Sequence, residues 1–130
     1  KIYNWYAVND PRGLSPEGWH IPSDVEWLET INHLGGENEA GIKMKNTSVW
    51  FENGNGTNQS GFKGFPSGVR GDNGDFTSLG KNGFWWSSTE TEKQNKKVIV
   101  IFYLDYSFKW VIKEVALKGS GLTVRCVKDE

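Results

Sequence analysis

Apolar residues recur at helical spacing in one place only. Val25, Leu28, Ile31 and Leu34 lie three residues apart, a one-sided apolar stripe with Trp27, four residues before Ile31, near its edge. The stripe is punctuated at both ends. Ser23 followed three residues later by Glu26 is a capping box, in which hydroxyl and carboxylate satisfy free N–H groups at a helix start. Gly35 supplies a left-handed stop. The pattern predicts a helix from about Asp24 that presents its stripe to a sheet and leaves Glu29, Thr30 and Asn32 on a solvated face.

Elsewhere the pattern is that of strands and loops. Ile2 to Val8, rich in aromatic and β-branched residues, predicts a strand ended by the turn Asn9-Asp10-Pro11-Arg12-Gly13. Glu37 to Lys45 predicts a second short helix, with Gly41 working against it. From Asn46 to Gly83 the chain turns to Gly, Asn, Ser and Thr, interrupted by Trp50, Phe51, Phe62, Phe65 and Phe76. Rings placed that regularly predict an ordered loop, each pinning the chain to the core. Phe84 to Ser88 and Lys97 to Leu104 read as strands. Asp105-Tyr106-Ser107 reads as a hairpin turn into Phe108 to Lys113, and Leu122 to Lys128 as a closing strand with Leu122, Val124 and Cys126 on one face. The order predicts an α+β fold, with one or two helices on antiparallel sheets and long ordered loops.

A chain of 130 residues predicts a single domain, 1–130. The 15 basic and 16 acidic side chains are interspersed and leave a formal charge of -1, which argues against a nucleic-acid partner. No apolar run is long enough for direct membrane insertion. The chain opens on KIYNWYAV, as a segment trimmed from a longer protein does, so the lack of a leader carries no information. One cysteine, Cys126, excludes an internal disulfide. Of seven tryptophans, Trp5, Trp19, Trp27 and Trp85 are expected in the core. Successive strand residues face opposite ways, so either Trp85 or Trp86 is expected at the surface.

The sequence offers little to catalysis. His20 lies between Trp19 and Ile21, and neither Ser87 nor Ser88 stands in a nucleophile motif. Cys126 sits mid-strand among apolar residues, the setting of a small core thiol. Two histidines separated by a helix lack zinc-ligand spacing. Asp72-Asn73-Gly74-Asp75 is the best oxygen cluster for calcium, but it lacks a distal Glu and reads as an ordinary turn. No enzyme activity, cofactor or metal is expected.

YNWYAV, GLSPEGWHIPSDVEWLETINHLGG, AGIKMK, SGFKGFPSGVR, GFWWSSTE and GLTVRCVKD, in that order, resemble the Fibrobacter succinogenes major paralogous domain, found in secreted and surface lipoproteins of Bacteroidetes and relatives. That family is similar in turn to C-type lectin-like folds, including the formylglycine-generating enzyme group. The resemblance implies that the first and last strands pair and that long loops carry the binding surface. The Glu-Pro-Asn and Trp-Asn-Asp signatures of calcium-dependent lectins are absent. Where the family usually has Cys before its Pro-x-Gly-Trp run this chain has Ser15, and the resemblance implies that Ser15 lies beside Cys126. Some proteins of this kind are diversified at positions whose location resembles Phe84 to Val111.

The implied function is a non-catalytic recognition module, secreted or at the cell surface, binding a glycan or protein. The alternative is a structural or assembly domain of a surface lipoprotein. Candidate ligand-binding residues are Trp86, Ser88 and Glu90 with Tyr103, Asp105, Tyr106 and Lys109, because rings beside a few polar groups serve both sugar and protein recognition.

Overall fold

In the computed structural model, which describes residues 1–130, the capping box forms as its spacing demands. Ser23 Oγ accepts from the Glu26 N–H at 3.2 Å and Glu26 returns a carboxylate oxygen to the Ser23 N–H at 3.1 Å. A 3-residue stop at Leu34 to Gly36 closes helix α2 (Asp24–His33). Its buried face differs from the predicted stripe. Trp27 and Ile31 are buried and Leu28 and Leu34 half-buried, whereas Val25 points into solvent at 59 % exposure. One indole outweighs one valine in apolar area, so the helix rolls to bury Trp27.

The second helix also forms, as α3 (Glu37–Met44). Gly41 sits inside it because a Cβ there would strike the backbone carbonyls of Lys109 and Trp110. That close approach lets the Ile42 N–H donate to Lys109 O and the Val111 N–H to Glu37 O.

The predicted first strand is a helical turn instead, α1 (Trp5–Val8), capped by Asn4, whose side chain accepts from the Ala7 N–H at 3.0 Å. Asn is a strong cap, and it overrides the β-propensity of the residues after it. Only Tyr3 keeps a bridge, exchanging both backbone bonds with Leu122. The predicted closing strand is likewise reduced to that bridge, a second from Thr123 to Trp85, and β7 (Val127–Lys128), which pairs antiparallel with β1 (Trp19–His20).

The main sheet contains β2 (Ser67–Arg70), β3 (Phe76–Leu79), β4 (Asn82–Lys93), β5 (Lys96–Asp105) and β6 (Ile112–Ala116), in the order β3-β2-β4-β5-β6. It is mixed: β2 meets β4 in parallel at Gly68 and Gly83, and the remaining pairs are antiparallel. The fold is α+β. The hairpin from β5 to β6 is looser than predicted, since Tyr106 to Val111 separate the strands.

Both faces of the central strands are covered. Trp85, Val100, Phe102 and Leu104 pack with Trp27, Ile31, Ala40, Met44 and Trp50 on the side of α2 and α3. Trp86, Ile99 and Ile101 pack on the other side with Trp5, Val8, Ile21 and Leu122. Trp85 and Trp86 point opposite ways as strand geometry requires, yet both are buried, at 3 % and 0 % exposure. The expectation that one of them reaches the surface fails because the central strands are covered on both faces here. Trp19, expected in the core, is 44 % exposed.

Ser87 and Ser88 lie in a bulge of β4, between the paired residues Trp86 and Glu90. Ser87 Oγ, fully buried, donates to Val100 O at 2.6 Å and accepts from the Thr89 N–H. Thr89 Oγ1 accepts from the Asp24 N–H at 3.0 Å, and the Ser88 N–H donates to Pro22 O. The bulge thereby docks the sheet on the start of α2.

Candidate functional site

The Asn46 to Gly83 segment is ordered mainly by its backbone. Gly64 and Met44 share a hydrogen bond at 2.8 Å, Thr57 N–H reaches Ile42 O, and Asn46 bonds to both Gly56 and Gly64. Among its aromatic residues, only Trp50 and Phe62 anchor it as predicted. Trp50 is buried and its indole N–H donates to Gly64 O at 3.1 Å. Phe62 meets Trp27 and Trp85 edge-on. Phe51, Phe65 and Phe76 are exposed, correcting the expectation that each ring pins the loop.

Of these exposed rings, Phe65 borders a hollow of ≈ 430 Å³ lined also by Val49, Pro66, Ser67, Leu79 and Gly80. Leu79 is 80 % exposed. Val49 has φ 73, a left-handed conformation that costs a β-branched residue of the order of 1–3 kcal/mol. From the hollow the surface runs on through backbone bonds: Phe51 N–H to Gly80 O and Tyr106 N–H to Lys81 O, both at 2.9 Å. The Phe51 ring receives Tyr106 edge-on at 5.2 Å and carries the Lys81 ammonium at 4.9 Å.

Lys45 holds this face from beneath. It is buried, and its Nζ donates to the carbonyls of Gly54, Asp105 and Phe108 at 3.2, 2.7 and 2.8 Å. Burial lowers its pKa, opposed by the Asp105 charge. Gly54 fits there because any side chain would enter the Tyr106 backbone.

The predicted ligand-binding residues do not form one site. Trp86 is a core residue whose indole N–H donates to Tyr3 O at 2.7 Å, so it is withdrawn as a ligand contact. Ser88 is exposed at a groove beside Trp19, and Glu90 is paired with Lys118 at 2.5 Å. Asp105 pairs with Asn82, at the far end of the hairpin from Glu90 and Ile99, roughly 20 Å away. Tyr103 is half-buried against Phe84 at 5.3 Å, and burial, then Glu114 and Asp105, raise its pKa. Asp105 accepts from Ser107 and Asn82; burial works to raise its pKa, but these bonds and the Lys45 charge outweigh it and hold it below the ordinary value. Lys109 is tied to Glu39 at 2.7 Å. Of the seven, only Asp105 and Tyr106 adjoin the loop face.

Val49, Leu79 and Lys81 were not singled out from the sequence, although isolated apolar residues in a polar loop are a usable signal. Asp72 to Asp75 form a turn in which Asn73 Oδ1 accepts from the Asp75 N–H. No group of three or more His, Cys, Asp or Glu side chains is arranged to hold a metal ion. No helix is long and apolar enough to cross a membrane. Ser15 and Cys126 lie together, the thiol donating to Ser15 Oγ at 3.4 Å, as the family resemblance implied.

These features define a small α+β domain whose two-sided core supports a long loop face. The chain belongs to the Fibrobacter succinogenes major domain family, whose model matches residues 1–128. No curated protein and no solved structure matches it.

Proposed function

We propose that the domain is a non-catalytic recognition module that binds a protein partner through the face around Val49, Phe65, Leu79, Phe51 and Tyr106. The observation that carries this reading is apolar surface held out to solvent on a hydrogen-bonded frame, with Val49 kept in a strained conformation beside the hollow. Ordered backbone lowers the entropy lost on binding, and Phe51, Tyr106 and Lys81 add a ring pair and a cation at its rim. The scaffold fits a C-type lectin-like arrangement, with chain ends joined and loops at the surface. The proposed location is secreted or on the cell surface, as part of a lipoprotein. The test is an array of surface proteins and glycans probed with the domain and with a Val49→Ser/Leu79→Ser double variant of equal melting temperature. Protein binding lost in the variant supports the reading; binding that survives refutes the placement.

The apolar character of the face also supports an assembly domain, in which a neighbouring domain covers this surface permanently. That reading expects no binding to either array by the isolated domain.

A further inference from the structure

A second concave surface lies on the opposite side of the sheet, a groove of ≈ 440 Å³ formed between α1, the turn after it, β1 and the β4 bulge. Trp19 is one of its lining residues and is 44 % exposed. We propose that this groove is a binding subsite for a neutral saccharide, with a pyranose ring stacked on the Trp19 indole and its hydroxyls on Ser88 and Asn9.

Trp19 differs from the other tryptophans. Five of the seven are at most 5 % exposed, and the indole N–H groups of Trp27, Trp50 and Trp86 are spent on backbone carbonyls. Trp110, also exposed, has its ring against Phe108 at 5.0 Å. Trp19 is 44 % exposed, pairs with no other ring, and its indole N–H has no partner within the protein, while its backbone N–H is bonded to Pro16 O. An unspent amphipathic ring in a concavity presents both a flat apolar face and a donor.

The backbone beneath the ring is fixed. Trp19 pairs with Lys128, and the Asp129 N–H donates to Gly18 O at 2.9 Å. The neighbouring His20 is held on both sides, Nδ1 against Asp129 at 2.6 Å and Nε2 against Glu26 at 2.8 Å. A platform fixed in advance loses little entropy when a ligand stacks on it.

The polar groups of the groove select the ligand class. Ser88 is anchored by its N–H to Pro22 O and Asn9 by its N–H to Trp5 O, while neither side chain hydrogen-bonds within the protein. Hydroxyl and amide can each donate and accept, as sugar hydroxyls do. The charges at the groove are already committed, since His20 faces two carboxylates. No lysine or arginine lines the groove, so a neutral sugar fits it better than a uronate or a phosphate. The volume lies within the range of about 300–1,000 Å³ usual for small-ligand sites.

The test is an NMR titration of the domain with cellobiose, maltose, lactose and N,N′-diacetylchitobiose, following the indole N–H resonances. The expected result is a saturable shift of the Trp19 resonance by at least one disaccharide. Binding should vanish in Trp19→Ala, persist in Trp19→Phe, and weaken about fivefold in Ser88→Ala or Asn9→Ala, the loss of about one hydrogen bond. Trp19 still buries more than half of its surface, so Trp19→Ala is titrated below its own melting temperature; saturable binding that survives in that folded variant overturns the proposal. So does the absence of a saturable shift with all four disaccharides. Because the groove is separate from the loop face, the Val49→Ser/Leu79→Ser double variant should bind the sugar unchanged, which keeps failure here distinct from failure of the protein-binding reading.

Discussion

The two sides of the central hairpin bury equally large rings by different means. On one side, α2 and α3 lay Trp27, Ile31, Ala40 and Met44 over Trp85 and Phe102. On the other, no long helix is available, and α1, Ile21 and Leu122 cover Trp86 with irregular pieces from both chain ends. The two helices that cover the first side are neighbours in sequence, whereas the cover of the second needs the chain ends to meet. The second side is therefore where a single change should have the largest effect.

Trp86→Ala tests this most directly. It empties a fully buried ring site and removes one of the two donors to the Tyr3 carbonyl, which keeps the Leu122 N–H, so a loss of about 4 kcal/mol is expected in chemical denaturation. A loss below about 1 kcal/mol would mean that the second side is not a packed core.

Joining the ends covalently should have the opposite sign. Ser15→Cys places a thiol where an oxygen already lies 3.4 Å from Cys126 Sγ, across 111 residues of chain. Chain entropy values such a loop at roughly 4–5 kcal/mol, and realised gains are more often about 2–4 kcal/mol. Mass spectrometry reads the bridge and denaturation its effect. A thiol pair that stays reduced under oxidising conditions would show that the ends do not meet in this way.

What the sequence disclosed follows the same division. Helix α2 was legible because Ser23, Glu26 and Gly35 are local signals, and α3 was legible despite Gly41, whose reason is a tertiary contact with Lys109 and Trp110. The chain ends were misread as strands because propensity in IYNWYAV and LTVRCVK is strong, while the bonds that decide, Asn4 to Ala7 and Tyr3 to Leu122, depend on one cap and one distant partner. Trp86 was misassigned because alternation presumes a wet face. KVIVIFYL, an unbroken apolar run, is the pattern of a strand buried on both sides. The loop was legible as ordered, but Val49, Leu79 and Lys81 were missed for a third reason: the frame that presents them is backbone bonding, which leaves little residue pattern.

Lys45 tests the first side, where it supports the loops. Lys45→Met keeps the apolar stem but orphans three carbonyls, so about 2–3 kcal/mol should be lost, and amide exchange should quicken at Gly54 and Tyr106 before α2 is affected. Uniform exchange throughout would show that the loop face is not a separate unit. A smaller effect is expected at Ser23→Ala, about 1 kcal/mol, because it removes one cap bond while Glu26 keeps its own. No change beyond error would show that the box contributes nothing.

The smallest effect concerns His20, where the two sides join: one ring nitrogen faces Glu26 at the start of α2 and the other faces Asp129 at the chain's end. Only the imidazolium can donate to both. Hydrogen bonds to Asp129 first and Glu26 second therefore raise the His20 pKa above its ordinary 6.5. Glu26 stays charged through this range, its own pKa lowered chiefly by the Ser23 N–H. A raised folded-state pKa means that the clamp stabilises fully below about pH 6.5 and fades as pH rises through the higher folded value. His20→Gln can still donate through its amide to one carboxylate, but it carries no titrating charge. The parent should thus lose stability relative to His20→Gln as the pH rises above about 6.5, a difference read from paired denaturation midpoints. Parallel pH profiles for the two proteins would show that the clamp adds nothing where helix and chain end meet.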